Sequence, residues 1–220
     1  MSTRLDSPKE KSTKHNKKKP NTTHFNIYIR EINKQIYPDL QLQPEIIEIL
    51  DNIINVIGKK IVENSVLIMK TNKKETMSLK FLKLGTELSI SGEIQKHATF
   101  QALKATSKAL TKNATTDPHK KRETLTKKTG LVFPPARVER VIMRKVSCVK
   151  RIPEGAPVYL AAVLEYICAD LLDYAGRITI DKYKASRITV PHLSLAVEND
   201  SELKKLIHDA HIHIGRANMM

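Results

Sequence analysis

Two long apolar helices, each introduced by a proline, constrain the fold of this chain more than any other feature of its sequence. The apolar residues after Pro44 recur at spacings of three and four as far as about Thr71, and those after Pro157 continue to Ala175. The first of these helices is expected to be about 40 Å long. Because both are apolar on more than one face, short helices of the same unit cannot cover them. The two long helices are therefore expected to cross each other.

The same order of elements surrounds both long helices. A short apolar helix ends at Tyr37, where Pro38 follows, and precedes the first long helix. Another short helix begins at Pro135 and precedes the second. A further short helix follows each long one across a polar loop. This internal duplication predicts an all-α chain in which two similar units form one pseudo-twofold body.

Two polar, basic segments separate and flank these units. We predict a disordered basic tail at 1–21 and a basic linker at 112–129. The ordered units are then expected at 22–111 and 130–214, with a short C-terminal tail at 215–220.

The charge balance indicates an anionic partner. Lys and Arg number 38 against 23 Asp and Glu, which gives a net charge of +15, and nucleic acid is the first candidate. The only cysteines, Cys148 in a loop and Cys168 on the apolar side of the second long helix, are too few for a disulfide framework. We expect Cys168 to pack in the core. With no signal-like segment and no apolar run of about 18 residues, the chain is predicted to be intracellular, without a membrane partner.

The segments beside the long helices resemble histones. Those of the first unit resemble histone 2B and are Tyr28, Lys34–Asp39, Asn72–Thr76 and Gly92–Ala98. Those of the second unit resemble histone 2A and are Gly130–Pro134, Gly155–Tyr166 and His192–Asp200. The resemblance implies two histone folds in one chain, packed as an intramolecular handshake pseudo-dimer. Fusion in this order also resembles the histone doublets of giant DNA viruses such as marseilleviruses.

The resemblance implies a core histone doublet that wraps and compacts double-stranded DNA in nucleosome-like particles, in place of the dimer of histones 2A and 2B. Two copies would flank a tetramer of histone 3 and 4 type, or the corresponding fused doublet. It implies sequence-independent binding, no cofactor, no small-molecule substrate and no enzymatic activity. The implied location is the chromatin of a virion, viral factory or host nucleus. One alternative is a histone-fold subunit of a transcription regulatory complex, whereas a histone chaperone would be acidic, unlike this chain.

The resemblance also assigns DNA contacts. Arg187 matches the arginine that enters the minor groove, and Thr76 matches the loop hydroxyl opposite it. The other implied contacts are Lys17, Lys18, Lys19, Arg30, Lys73, Lys74, Arg137, Arg140, Lys150, Arg151 and Ser186. Solvated surface is an equal alternative for Lys73, Lys74 and Arg140. For Lys17–Lys19, where DNA contact is favoured, the alternatives are a solubility tail or an import signal. Glu75 replaces a small hydroxyl residue, and extra residues in the loops before Arg151 and Arg187 depart from the family pattern.

An acidic docking patch is the second implied site. Its residues are Glu93, Glu165, Asp170, Asp173, Asp200 and Glu202, of which Glu165, Asp170 and Asp173 are expected on roughly one helical face. Gln101 and Ser201 stand where the family has acids, so a weaker patch is expected. A chain that ends soon after Ile214 is also expected to contact the partner tetramer less extensively.

Catalysis and metal binding are two chemical alternatives that the sequence does not favour. Paired carboxylates can perform catalysis, and His208, His211 and His213 could suggest a metal site. No phosphate-binding glycine loop, nucleophile elbow or zinc-ligand pair accompanies them, so no catalytic or metal site is predicted.

Overall fold

The computed structural model describes residues 24–111, 124–146 and 149–214. The first unit consists of α1 (Asn26–Ile36), β1 (Gln41–Leu42), α2 (Pro44–Thr71), α3 (Leu79–Ser89) and α4 (Gly92–Leu110). The second consists of α5 (Leu125–Thr129), α6 (Pro135–Val138), α7 (Arg144–Val146), α8 (Gly155–Asp181), β2 (Arg187–Ile188), α9 (Val190–Asn199) and α10 (Ser201–Asp209). A π-helical turn, Glu139–Met143, joins α6 to α7. The predicted tails at 1–21 and 215–220, with Lys17, Lys18 and Lys19, and Cys148 lie outside the described residues.

The long helices begin close to their prolines. Pro44 is the first residue of α2, where its missing N–H has no helical partner to lose. The second long helix begins at Gly155, two residues before the predicted start. Pro157 therefore lies in the first turn, where the backbone N–H groups are also unpaired. Both helices extend over at least 27 residues.

A short helix, α5, occupies the end of the segment predicted as a linker. Thr124 caps its start, and Gly130 ends it in a left-handed conformation at φ +74°. The Lys128 Nζ donates to the carbonyls of Ala109 and Thr111 at the end of α4, at 2.7 and 2.5 Å. Helix α5 is thus bonded to the first unit through Lys128, although it lies within the segment predicted as a linker.

The two units pack as an antiparallel handshake. Strand β1, in the first loop of the first unit, pairs in parallel with β2 in the second loop of the second unit. At the other end, Thr76 in the second loop of the first unit pairs with Arg151 in the first loop of the second. Each loop thus meets the opposite loop of the other unit, as two crossed antiparallel helices require. The predicted all-α handshake of two histone folds is confirmed.

One core runs through both units. A methyl group on Gly58 of α2 would lie 2.8 Å from Ile142 Cδ1 and 3.2 Å from Leu164 Cδ1, so the missing side chain lets the units approach closely. The thiol of Cys168 is fully buried, which confirms its predicted place in the core. By length and composition α8 could cross a membrane, but 78% of its most apolar window is buried inside the protein. That burial is typical of the central helix of a folded domain.

Candidate nucleic-acid interface

The first loop pair positions Arg187. The Gln41 N–H donates to the Ser186 carbonyl and the Gln43 N–H to the Ile188 carbonyl, both at 3.0 Å, which aligns the two loops. Arg187 is exposed, and its Nη2 donates to Gln41 Oε1 at 2.8 Å. Helices α2 and α9 both begin directly after these strands. This end therefore combines an oriented guanidinium with two helix N-termini, which attract anions.

Arg30 lies beside the same end of the molecule. Together with Lys34 it borders a surface groove of about 310 Å³, which Pro38, Leu40 and Gln41 also line. Arg30 and Arg187 therefore flank the same strand, β1. The predicted contacts Arg30, Ser186 and Arg187 are brought to one end of the handshake.

The second loop pair brings Thr76 and Arg151 together. The Met77 N–H donates to the Arg151 carbonyl at 3.0 Å, and Arg151 itself is exposed. Helix α3 begins shortly after Thr76, and α8 begins shortly after Arg151. Lys73 and Lys74 are exposed just before Thr76, and Lys73 holds a left-handed backbone at φ 52°. These predicted residues share the opposite end of the molecule.

Glu75 changes the charge of this second end. Its Oε1 accepts from Lys150 Nζ at 2.7 Å, and both side chains are more than two-thirds exposed. Such an exposed pair adds little stability, because water screens it. The pair does neutralise Lys150, which is one of the lysines predicted to contact DNA. Glu75 therefore lowers the local positive charge.

Arg137 lies where α1 and α6 meet. The rings of Phe25 and Phe133 are 5.2 Å apart, and this contact joins the starts of the two helices. The guanidinium of Arg137 lies 4.9 Å from the centre of the Tyr28 ring and donates to the His24 carbonyl at 2.8 Å. Cation–π packing and this bond hold the arginine at the junction. Arg140 lies exposed one helical turn later.

Three of the predicted acidic residues gather at the start of α4. Both carboxylate oxygens of Glu202 accept from this helix, from the N–H groups of Glu93 and Ile94 at 3.0 Å each. Gly92 makes the contact possible, because a Cβ there would lie 2.5 Å from the Glu202 carboxylate. Asp200 caps α10 by accepting from Glu202 and Leu203. Glu202 and Asp200 therefore stabilise helix ends, whatever else they bind.

Asp170 and Asp173 lie next to this group on α8. Burial and the nearby charges of Asp200 and Asp173 raise the pKa of Asp170 to about 6. Asp173 accepts from the Tyr37 hydroxyl at 2.9 Å and from Arg177 at 2.6 Å. Asp173 thus links the first loop of one unit to the long helix of the other.

Glu165 does not share a face of α8 with Asp170, although both were expected on roughly one face. A spacing of five residues separates it from Asp170 by about 140° around the helix. Its Oε2 accepts from the Phe133 N–H at 2.8 Å, and burial raises its pKa. It lines a groove of about 290 Å³ whose rim includes Lys104 and Lys108 of α4. Glu165 therefore holds the segment before α6 and shares its groove with Lys104 and Lys108.

Sequence reasoning missed the contacts that orient these side chains. Gln41 positions Arg187, Tyr28 supports Arg137, and Lys150 is paired with Glu75. Each pair joins the two units across more than 70 residues, so only the register of the handshake reveals it. Among residues 24–111, 124–146 and 149–214, no group of three or more histidine, cysteine or acidic residues could hold a metal ion.

Known proteins similar to this chain are histones. It is 50% identical to a histone 2A of Candida albicans over 88 residues, which are 40% of this chain and 66% of the relative. It is 52% identical to a histone 2A of Plasmodium falciparum over 80 residues, 36% of this chain and 59% of the relative. The chain thus spans a little under two thirds of these relatives, and no family model matches it.

The matched length is that of a single helical unit, whereas the fold contains two such units paired at their loops. The likeness and the all-α handshake together lead to one conclusion: the chain is a histone-fold protein.

Proposed function

We propose that this chain is a core histone doublet that wraps and compacts double-stranded DNA, with the place of one dimer of histones 2A and 2B in a nucleosome-like particle. Two copies would flank a tetramer of histone 3 and 4 type or an equivalent fused doublet. The proposal places the protein in chromatin, either in a nucleus or in a virion or viral factory.

One observation carries the proposal: the handshake gathers predicted DNA contacts at paired loops at both of its ends. Arg187 stands at one end and Arg151 at the other, and each is close to two helix N-termini. Loops paired in this way present guanidinium groups and helix dipoles to phosphates spaced along a duplex. The net charge of +15 favours the same partner. None of these groups requires a particular base, which is why we propose sequence-independent binding.

Reconstitution with nuclease digestion tests the proposal. The chain is mixed with histones 3 and 4, or with a fused equivalent, on a long DNA of mixed sequence and digested with micrococcal nuclease. We expect a protected fragment longer than the tetramer alone protects, in a particle that contains two copies of the chain. The same protected length with and without the chain would contradict the proposal.

Competition binding separates the proposal from a sequence-specific transcription complex. We expect similar affinities for unrelated duplexes and a steep fall of log affinity with log salt concentration. A strong preference for one short duplex would instead favour the transcription-complex alternative.

Substitution of Arg187 tests the loop pair itself. Arg187→Ala is expected to reduce the slope of log affinity against log salt concentration by about one. It should weaken binding to all duplexes alike. Lys205→Ala removes the same charge from an exposed position on α10 and serves as the matched control. Equal losses from both variants would show that net charge alone, rather than the loop pair, determines the affinity.

A further inference from the structure

Tyr183 is an exposed aromatic residue in the loop that leads from α8 to β2. Its side chain is 42% exposed, and Lys182, Lys184 and Arg187 are exposed around it in the sequence. From Asp181 to Arg187 the chain carries three cations against one carboxylate. This loop also has the extra residue that departs from the histone pattern. The chain therefore places a phenolic hydroxyl within a basic loop of the first loop pair.

The Tyr183 ring is held in place by its neighbours. Its centre lies 4.6 Å from the centre of the His192 ring, with the two planes 34° apart, and 5.6 Å from Lys182 Nζ. His192 is itself fixed, because its Nδ1 accepts from the Thr189 N–H at 3.3 Å in the first turn of α9. Since the ring is already restrained, a hydrogen bond from its hydroxyl costs less conformational entropy than one from an unrestrained lysine.

The hydroxyl of Tyr183 can serve a partner outside the chain. Within residues 24–111, 124–146 and 149–214 it makes no hydrogen bond, whereas the Tyr37 hydroxyl donates to Asp173. The contact with His192 places the ring against the first turn of α9, one of the two helices that begin at the end of the molecule carrying Arg187. A hydroxyl at that position meets the same stretch of DNA backbone that we propose for Arg187.

We propose that Tyr183 is a further DNA-contacting residue, whose hydroxyl donates a hydrogen bond to a backbone phosphate beside Arg187. Tyrosine is among the side chains that make such bonds to phosphate oxygens. The contact is neutral, so it adds affinity without releasing a counterion. This inference rests on the proposed histone function, because it takes the first loop pair as a DNA surface.

The substitution Tyr183→Phe tests the hydroxyl, because phenylalanine keeps the ring against His192. Affinity of the full chain for a duplex of mixed sequence is measured at several salt concentrations. We expect binding about tenfold weaker, as for the loss of a hydrogen bond to a charged group, with an unchanged slope of log affinity against log salt concentration. Arg187→Ala should instead lower that slope by about one. Unchanged affinity of Tyr183→Phe would overturn the inference.

Tyr166→Phe is the matched control, because Tyr166 lies in the middle of α8, away from both loop pairs. Its affinity for the duplex is expected to equal that of the parent chain. Urea unfolding of Tyr183→Phe is expected to show the parent midpoint, since the hydroxyl makes no bond within the described residues. An equal loss of affinity in the control, or a lower midpoint for Tyr183→Phe, would overturn the inference.

Combination with Arg187→Ala shows whether Tyr183 contacts DNA directly. The ring is held by His192 rather than by Arg187, so Tyr183→Phe should weaken binding by the same factor with either residue at position 187. A loss that disappears without Arg187 would mean that Tyr183 acts through the arginine, which would overturn the inference. Parent binding with a steep salt slope but no effect of Tyr183→Phe refutes this contact alone, whereas a parent chain that does not bind DNA refutes the proposed histone function as well.

Discussion

The effect of Gly176→Ala on the free energy of unfolding is expected to depend on residue 37. The substitution should destabilise the chain when residue 37 is tyrosine and stabilise it when residue 37 is alanine. Gly176 lies in the interior of α8, where alanine ordinarily stabilises a helix by about 1 kcal/mol. Here the ring of Tyr37, from the other unit, covers the glycine. A Cβ at position 176 would lie 2.2 Å from Tyr37 Cε2 and 2.7 Å from Cδ2.

Those distances require the ring to move. The Tyr37 hydroxyl donates to Asp173 Oδ1 at 2.9 Å, so a displaced ring loses that bond, worth about 1 kcal/mol. Overpacking of this kind costs about 1–3 kcal/mol. Added to the lost bond and set against the gain in helix propensity, this cost should make Gly176→Ala destabilising by about 1–3 kcal/mol. In a Tyr37→Ala background the clash is gone, and the same substitution should stabilise by about 1 kcal/mol.

Urea unfolding of the four chains in this double-mutant cycle measures the coupling. Circular dichroism follows the helices, and the midpoints give the differences in unfolding free energy. Tyr37→Phe is the control that removes the hydroxyl bonds and keeps the ring. If Gly176→Ala has the same sign with tyrosine and with alanine at position 37, the contact between the units does not determine its effect.

Three further changes test other parts of the structure. Glu202→Gln should destabilise the chain by about 1 kcal/mol in urea unfolding, because the start of α4 loses its charged cap, whereas Glu198→Gln on the exposed side of α9 should not. Asp170→Asn should stabilise the chain by about 1 kcal/mol at pH 7.5. The pKa of Asp170 is raised in the folded state, so its ionisation destabilises that state as the pH rises from about 4 through 6. Below pH 4 the aspartate is protonated in both states, and the gain should vanish. A protease site inserted within 112–123 should, once cut, leave two fragments that co-elute in gel filtration, and independent elution would contradict the handshake.

Local signals explain which helices could be predicted from the sequence. Pro44 and the apolar spacing after it place α2 correctly, and Asp200 before Ser201 marks the start of α10. The segment that forms α5 is too polar to show apolar periodicity, and only the Thr124 and Gly130 caps mark it. Its attachment depends on Lys128, whose acceptors lie at the end of α4.

The geometry of the candidate sites depends on contacts between the units. The histone resemblance supplied the positions of Arg187 and Glu202, but spacing cannot show that Gln41 orients the first or that the second caps α4. Glu165 and Asp170 show the same limit within one helix, since a list of matched acids ignores which way each one faces. Partners more than 100 residues apart are set by how two helices cross, which a local pattern does not contain.

Covalent joining of the units has a direct consequence for the proposed DNA surface. Each loop pair takes one loop from each unit, so neither end exists unless α2 and α8 cross. In two separate chains that crossing depends on concentration, because dissociation removes both ends at once. Within one chain the second unit is always at a high effective concentration, set by the length of the connection between α4 and α5. A dilute chain is therefore expected to keep its DNA surface assembled, and its unfolding midpoint should not depend on concentration in the range where it remains a single copy.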